Sequence, residues 1–328
     1  MKLSRYNFFK KYNDSTIFFN SATSALAVVD ECFLRVVKDI KNDCFDEAKY
    51  DARLVKDMKI SGCIVDDDVD ELERLEFYRN LAKYNVTNLA LTIAPTLDCN
   101  FRCKYCFETH PKGIMSSDIQ ASLLEFVEKK LEGVKKFSVT WYGGEPLLAK
   151  DVVYNLSERF LELCAKKNVK YDALIITNAS LMDALDIEKF KRNKINRVQV
   201  TIDGPKEIHD QRRRCITGES TYDKLIENVN SLLNKGLSVA IRINIDKGNI
   251  DNVDELLKDI RTRIDRYKNL NLRFGKVSPL TEICKSIEGD CYSYEQFADV
   301  MLSLYRKIAE YGFKVSKKYI YPIVRVNY

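Results

Sequence analysis

The sequence is first defined by what it lacks. No apolar run approaches the 18 or more residues that a bilayer-spanning helix needs, which excludes a helical membrane protein. The start, MKLSRYNFF, has no long apolar segment and no small-residue cleavage site, so a secretory signal is not expected and the cytoplasm is the expected location. Charge of one sign is not concentrated anywhere. Lys and Arg number 53 against 48 Asp and Glu, a net +5 spread along the chain, without the basic stripe that nucleic acid would demand. Internal repeats and low-complexity tracts are absent. What is there, 45% apolar and 31% charged residues over 328 positions, is the composition of a globular chain long enough for two packed domains.

Ten cysteines stand at 32, 44, 63, 99, 103, 106, 164, 215, 284 and 291. A disulfide scaffold would be short and secreted, and this chain is neither. Seven are scattered, mostly among apolar neighbours such as Phe33, Ile64 and Leu163, and read as small buried hydrophobes. The other three form Cys99-x3-Cys103-x2-Cys106, three thiols within eight residues.

Residues 1–85 read as a small α+β, winged-helix-like module, with a plain helix-and-hairpin cap as the alternative. Thr16–Phe19 and Ala25–Val29 are β-prone runs, and Asp30 is a plausible N-cap for a helix bearing Phe33, Val36, Val37 and Ile40. A short helix with Leu54, Val55 and Met58 leads to a strand at Cys63–Val65. A further helix, entered through Asp66-Asp67-Asp68, carries Val69, Leu72, Leu75 and Leu81. From residue 86 to about 280 the rhythm is strand, loop, helix. Strands are expected at Leu89–Ala94, Phe137–Trp141, Ala173–Thr177, Val198–Ile202, Val239–Ile245 and Leu270–Val277, with amphipathic stretches between them. One stretch carries Ile119, Leu123, Val127 and Leu131; another carries Leu225 to Leu233 before Gly236. That is α/β, built of parallel βαβ units with right-handed crossovers, and periodicity fits a doubly wound sheet or a partial (β/α)6 barrel. In either, function gathers at the C-terminal strand ends. Those ends carry the cysteine loop, Tyr142-Gly143-Gly144-Glu145-Pro146, Thr177-Asn178-Ala179-Ser180 and Thr201-Ile202-Asp203-Gly204-Pro205.

Thiolates are soft ligands that select zinc or iron–sulfur chemistry. Three cysteines leave one iron of a four-iron cluster open to an outside ligand, whereas zinc would recruit His110 as a fourth ligand. The cysteine spacing with Tyr105 before the last cysteine resembles the cluster motif of the radical S-adenosylmethionine (radical SAM) superfamily. Gly143-Gly144-Glu145-Pro146 resembles that family's motif for the SAM amino group. Thr177-Asn178 and Thr201 to Pro205, with His209, Asp210 and Arg213, resemble the subgroup that modifies peptides and proteins and usually carries a C-terminal cysteine-rich extension called SPASM. Ala179 departs from the glycine usual there, and a slightly altered turn is expected.

The resemblance implies a partial (β/α)6 barrel holding a 4Fe–4S cluster on Cys99, Cys103 and Cys106. It implies SAM among Tyr105, Gly143, Gly144, Glu145, Pro146, Asn178, Thr201, Asp203 and Arg242, with an electron donor such as ferredoxin or flavodoxin. In these roles the two glycines let backbone oxygens approach the SAM ammonium, and Glu145 adds negative charge near it. Thr201 and Asp203 reach the ribose or a neighbour, with helix capping as the alternative for Asp203. An Asx-turn is the alternative for Asn178. Arg242 and Asn244 share parity on one strand and point to one face, inside a barrel or exposed at an edge. His209 reads as structural.

Phe18-Phe19-Asn20-Ser21 to Ala25-Leu26, followed by Val28-Val29-Asp30, resembles the leader-peptide recognition element of ribosomal-peptide maturases, which binds a precursor by strand addition. Residues 281–328 read as a helical bridge, with a helix near Phe297–Ile308, towards a SPASM region that is not expected within these residues; Cys284 and Cys291 read as plain thiols. The implied activity is radical SAM maturation of a precursor peptide, with a thioether cross-link as product. The alternatives are formylglycine formation in a sulfatase, a non-catalytic peptide-binding partner of a split maturase, and a zinc-stabilised β/α protein.

Overall fold

A computed structural model describes residues 1–314 except Asn13, and the chain forms two compact units, residues 1–85 and 86–314. The sequence segment from Tyr319 to Tyr328 lies outside the described residues. No helix of the described chain is long and apolar enough to cross a membrane.

In the first unit, β1 (Lys2–Leu3) is followed by β2 (Asn7–Tyr12), β3 (Ser15–Asn20) and β4 (Ala25–Val29), the last three pairing antiparallel in that order. Then come α1 (Glu31–Lys41), α2 (Ala52–Ile60), β5 (Ile64–Val65), which pairs with β1, and α3 (Glu71–Lys83). Asp30 caps α1 by accepting the Phe33 N–H at 2.8 Å, and Phe33, Val36, Val37 and Ile40 bury with Phe18, Val29, Val55 and Met58. Strand β2 was not expected. It is an outer strand carrying Lys10 and Lys11, and its Phe8 and Phe9 stay exposed, so the alternating burial that marks a strand is missing. Helix α3 is capped by Asp70 rather than by the Asp66–Asp68 run, and it buries no residue; Leu72, Leu75 and Leu81 are exposed.

The second unit holds β6 (Asn88–Ile93), β7 (Phe101–Cys103), α4 (Ser117–Lys130), β8 (Lys136–Trp141), α5 (Lys150–Lys166), β9 (Lys170–Thr177), α6 (Ala184–Arg192), β10 (Ile195–Thr201), α7 (Lys206–Arg212), β11 (Arg213–Cys215), α8 (Tyr222–Asn234), β12 (Ser238–Ile245), α9 (Val253–Arg263), β13 (Asn271–Lys276) and α10 (Tyr294–Glu310). Six strands form one all-parallel sheet in the order β6-β8-β9-β10-β12-β13. That order never reverses. With right-handed crossovers every connecting helix then falls on the same face, which makes a curled partial barrel and excludes a doubly wound sheet.

Helix burial follows from this. Leu225, Ile226, Val229, Leu232 and Leu233 of α8 are buried, as are Val253, Leu256, Leu257 and Ile260 of α9. In α4 only Val127 is buried, and Ile119 of the expected stripe lies exposed. The strands alternate by face. Val198 and Val200 of β10, and Ile241, Ile243 and Ile245 of β12, belong to the apolar core; the intervening Gln199, Thr201, Arg242 and Asn244 line a cavity on the concave side.

Candidate active site

The cavity measures about 290 Å³ and lies at the C-terminal strand ends. Cys99, Cys103 and Cys106 line it together with Tyr105, Gly143, Gly144, Asn178, Thr201, Arg242 and Asn244. The cysteine loop owes its shape to its own backbone and to its neighbours. The Phe101 N–H points at Cys99 Sγ at 3.4 Å, Asp98 Oδ1 accepts the Cys99 N–H at 2.8 Å, and Arg102 Nη1 donates to the Cys99 and Phe101 carbonyls at 2.6 and 2.8 Å. His110 Nε2 sits 3.3 Å from Cys106 Sγ, held by a left-handed backbone (φ +53°). Burial raises all three thiols, that of Cys99 to about 12, so they stay protonated until a metal charge offsets the loss of water.

The Gly-Gly-Glu-Pro turn has a packing reason for its glycines, both of which line the cavity. A Cβ on Gly143 would come within 2.3 Å of the Thr96 carbonyl oxygen, and one on Gly144 within 2.2 Å of Asp98 O and 2.4 Å of Leu97 O. The glycines are therefore demanded by the cysteine loop pressed against them, and the Gly144 and Glu145 N–H groups donate to Thr96 O (3.2 Å) and Asp98 O (2.8 Å). Glu145 is not at the cavity. It is fully buried, and its carboxylate accepts from Leu147 N (2.9 Å), Thr177 Oγ1 (2.6 Å) and Asn178 N (2.6 Å), with burial raising its pKa against those donors. Pro146 is buried at the start of a 3₁₀ turn, Pro146–Ala149, and is equally removed from the cavity.

Asn178 lines the cavity but spends its side chain locally. Its Oδ1 accepts from Ser180 N (2.9 Å) and Ser180 Oγ (2.7 Å), an Asx-turn, and its Nδ2 donates to Asn100 Oδ1 (2.8 Å), which ties β9 to the cysteine loop. Ala179 is buried with φ +59°, so a residue with a side chain bears the strain of a left-handed backbone there.

Asp203 also lies off the cavity, and it does not cap α7, whose N-cap is Pro205. It is fully buried; one oxygen accepts Asn244 N (2.8 Å) and the other accepts the Tyr105 hydroxyl. That hydroxyl in turn accepts from Arg213 Nη1 (2.7 Å) and Asn244 Nδ2 (3.0 Å), so its one hydrogen and both lone pairs are used. Burial holds the Tyr105 hydroxyl well above its ordinary pKa, which keeps it a donor. Arg212 forms a two-pronged pair with Asp246 (2.9 and 2.8 Å) beneath this network. Arg242 is not on an edge: β12 lies inside the sheet, its Nε donates to Asn244 Oδ1 (2.7 Å), and its guanidinium occupies the space left by Gly275, where a Cβ would come within 2.5 Å. His209 is buried, receives the Asp203 N–H at Nδ1 (3.4 Å) and packs edge-on against Tyr222.

Gln199, Lys276 and Ser278 line the cavity without having been expected there, and Tyr142 and Arg213, which stand in the strand-end motifs without an assigned role, line it too. The alternation that paired Arg242 with Asn244 would have found Gln199, two residues before Thr201. Among the described residues no three Cys, His, Asp or Glu side chains close on one ion as a mononuclear zinc site requires. A four-iron cluster takes each cysteine on a separate iron, so thiols spread around a cavity suit it, as does the cationic Arg213 beside Cys103.

A family profile described as the radical SAM superfamily matches residues 93–261. The chain belongs to the radical SAM superfamily, whose cofactors are a 4Fe–4S cluster and SAM. Among relatives, a cysteine-type anaerobic sulfatase-maturating enzyme of Clostridium perfringens is 33% identical over 149 residues, 42% of this chain and 39% of that one. Its counterpart in Clostridium novyi is 26% identical over 73% of this chain and 65% of its own length. The chain thus spans less than two thirds of these relatives. A solved structure of native anSMEcpe with bound AdoMet and Cp18Cys peptide aligns with TM-score 0.58 at 25% identity, covering 71% of this chain and 64% of that one. The Streptococcus suis SuiB structure bound to precursor peptide SuiA shares the fold with TM-score 0.52 at 16% identity, covering 94% and 70%.

Proposed function

We propose that this chain is a radical SAM peptide maturase in which Cys99, Cys103 and Cys106 hold the cluster and the polar row Thr201, Arg242 and Asn244 faces SAM. Cluster and SAM, when bound, supply a one-electron reductive cleavage that produces a 5′-deoxyadenosyl radical for hydrogen abstraction. The observation that carries the reading is that three thiols from one loop and polar side chains from the β10 and β12 ends share a single cavity. Arg242 has no carboxylate partner among the described residues and is suited to the SAM carboxylate. Tyr105, Asp203, Arg213 and Asn244 fix the cysteine loop to the sheet, and Glu145 fixes the glycine turn to β9.

The substrate we infer is a ribosomally made precursor, bound through strand addition at the open edge of β4 in the first unit and modified by thioether formation. Support comes from the reach of the SuiB likeness, since 94% coverage cannot be attained without residues 1–85. Formylglycine formation in a sulfatase is the second reading, favoured by the higher identity to the sulfatase-maturating enzymes. Ten free cysteines suit a reducing cytoplasm.

Anaerobic reconstitution with iron and sulfide, followed by iron analysis and assay of 5′-deoxyadenosine under reduction beside Cys103→Ala, tests the chemistry. About four irons per chain and cysteine-dependent product are expected; zinc without cleavage would overturn the reading. Leader binding to β4, abolished by a proline within Ala25–Val29, separates the precursor from the sulfatase substrate.

A further inference from the structure

We propose that the outer face of the ribbon formed by β7 and β11 is the docking site for an acidic, reduced iron–sulfur protein of the ferredoxin class, and that this ribbon is the electron entrance to the cluster. The inference rests on the cluster assignment to Cys99, Cys103 and Cys106 made above. In this two-stranded antiparallel ribbon Arg213 pairs with Cys103, Arg214 with Arg102 and Cys215 with Phe101. Alternation therefore sorts the residues by face. Phe101, Cys103, Arg213 and Cys215 are wholly or partly buried, and Cys103 and Arg213 line the cavity. Arg102, Lys104, Arg214 and Ile216 are exposed on the opposite face.

Two arginines thus stand directly opposite each other across a ladder, an arrangement that costs stability. Neither has an ion-pair partner among the described residues. Arg102 donates to the Cys99 and Phe101 carbonyls, which positions the guanidinium and leaves its charge unneutralised. Lys104 adds a third cation, joined to Asp290 at 2.9 Å in an exposed pair of little strength. Ile216, 60% exposed and held by its N–H to the Asn100 carbonyl (2.9 Å), supplies an apolar contact at the same face.

The unneutralised charge is complementary to an acidic partner, which it would steer and orient. Only one layer of backbone separates this face from Cys103, whereas the cavity side belongs to SAM and substrate. The step is a single electron transfer: the ferredoxin centre is oxidised by one electron, the cluster is reduced by one, and no proton or bond moves.

The test uses the full chain, reconstituted anaerobically, with an acidic plant-type [2Fe–2S] ferredoxin as probe. Docking affinity is measured by biolayer interferometry and cluster reduction by stopped-flow absorbance, for wild type, Arg214→Lys, Arg214→Glu and the double variant Lys104→Glu/Arg214→Glu. Arg214→Glu is expected to weaken docking and slow ferredoxin-driven reduction about tenfold, the double variant further, while Arg214→Lys stays near wild type and dithionite reduces all four alike. A wild-type reduction rate that falls with added salt belongs to the same expectation. Docking and reduction unchanged within twofold in Arg214→Glu, or reduction by a flavodoxin and not by ferredoxin, would overturn the proposal. Failure of dithionite to reduce any centre in the wild type would instead sink the cluster assignment, with docking affinity still deciding the surface.

Discussion

Replacing Gly144 by alanine separates two explanations of the Gly-Gly-Glu-Pro turn. An added Cβ would lie 2.2 Å from the Asp98 oxygen and 2.4 Å from that of Leu97. Ordinary contact begins near 3.4 Å, so the two loops must part by about 1 Å, which is overpacking worth about 1–3 kcal/mol. The Glu145 N–Asp98 O and Gly144 N–Thr96 O bonds stretch at the same time, for about 1 kcal/mol each. A loss near 3 kcal/mol corresponds to a fall in Tm of roughly 6–12 °C for a unit of this size. Because Asp98 immediately precedes Cys99, the displacement also moves a cluster ligand. Calorimetry of the Gly144→Ala protein and its iron content after reconstitution should therefore fall together. A wild-type Tm and full iron loading, with only SAM affinity lost, would refute this and return the glycine to a role in approaching SAM.

Three further outcomes are expected. Tyr105→Phe leaves Asp203, Arg213 and Asn244 each one partner short in a buried site, and urea denaturation should register a loss of about 2–4 kcal/mol with poorer iron retention. At Ala179, with φ +59°, glycine should be tolerated to within about 1 kcal/mol, because strain relief offsets the lost methyl and added chain entropy; valine should cost about 3 kcal/mol by thermal melting. Burial, with the nearby Arg213 charge, holds the His209 pKa well below its usual value, so the folded state binds fewer protons there than the unfolded one. Its contribution is full above pH ~6.5 and is lost as pH falls, and the acid-side slope of stability should flatten in His209→Asn, measured by urea midpoints from pH 7 to 5.

The parallel sheet was legible because each strand places apolar residues against the helices, and all six expected strands overlap observed ones within a few residues. The cavity was legible where strand parity and loop position coincide, as for Cys99, Cys103, Cys106, Thr201 and Arg242. What a motif does not encode is which way a side chain turns. Glu145 and Asp203 stand in the right loops, yet their carboxylates point into the protein, where backbone N–H groups await them. The clearance that Gly144 provides is likewise invisible without knowing that residues 96–98 pass beside it. The β7–β11 ribbon joins residues more than a hundred positions apart through three pairs, too short to leave a periodic signature.

The junction of the cysteine loop with the glycine turn makes the ends of β6, β8 and β9 one mechanical piece, riveted at Thr96, Asp98 and Glu145. Such a piece orders or frays as a whole. Filling one of its sites would prepay the ordering of the other, so the cofactors should favour each other's retention and loss of the cluster in air should weaken SAM binding as well. An engineer grafting this chemistry onto another barrel would need to transplant all three strand ends together, since each is hydrogen-bonded to its neighbour.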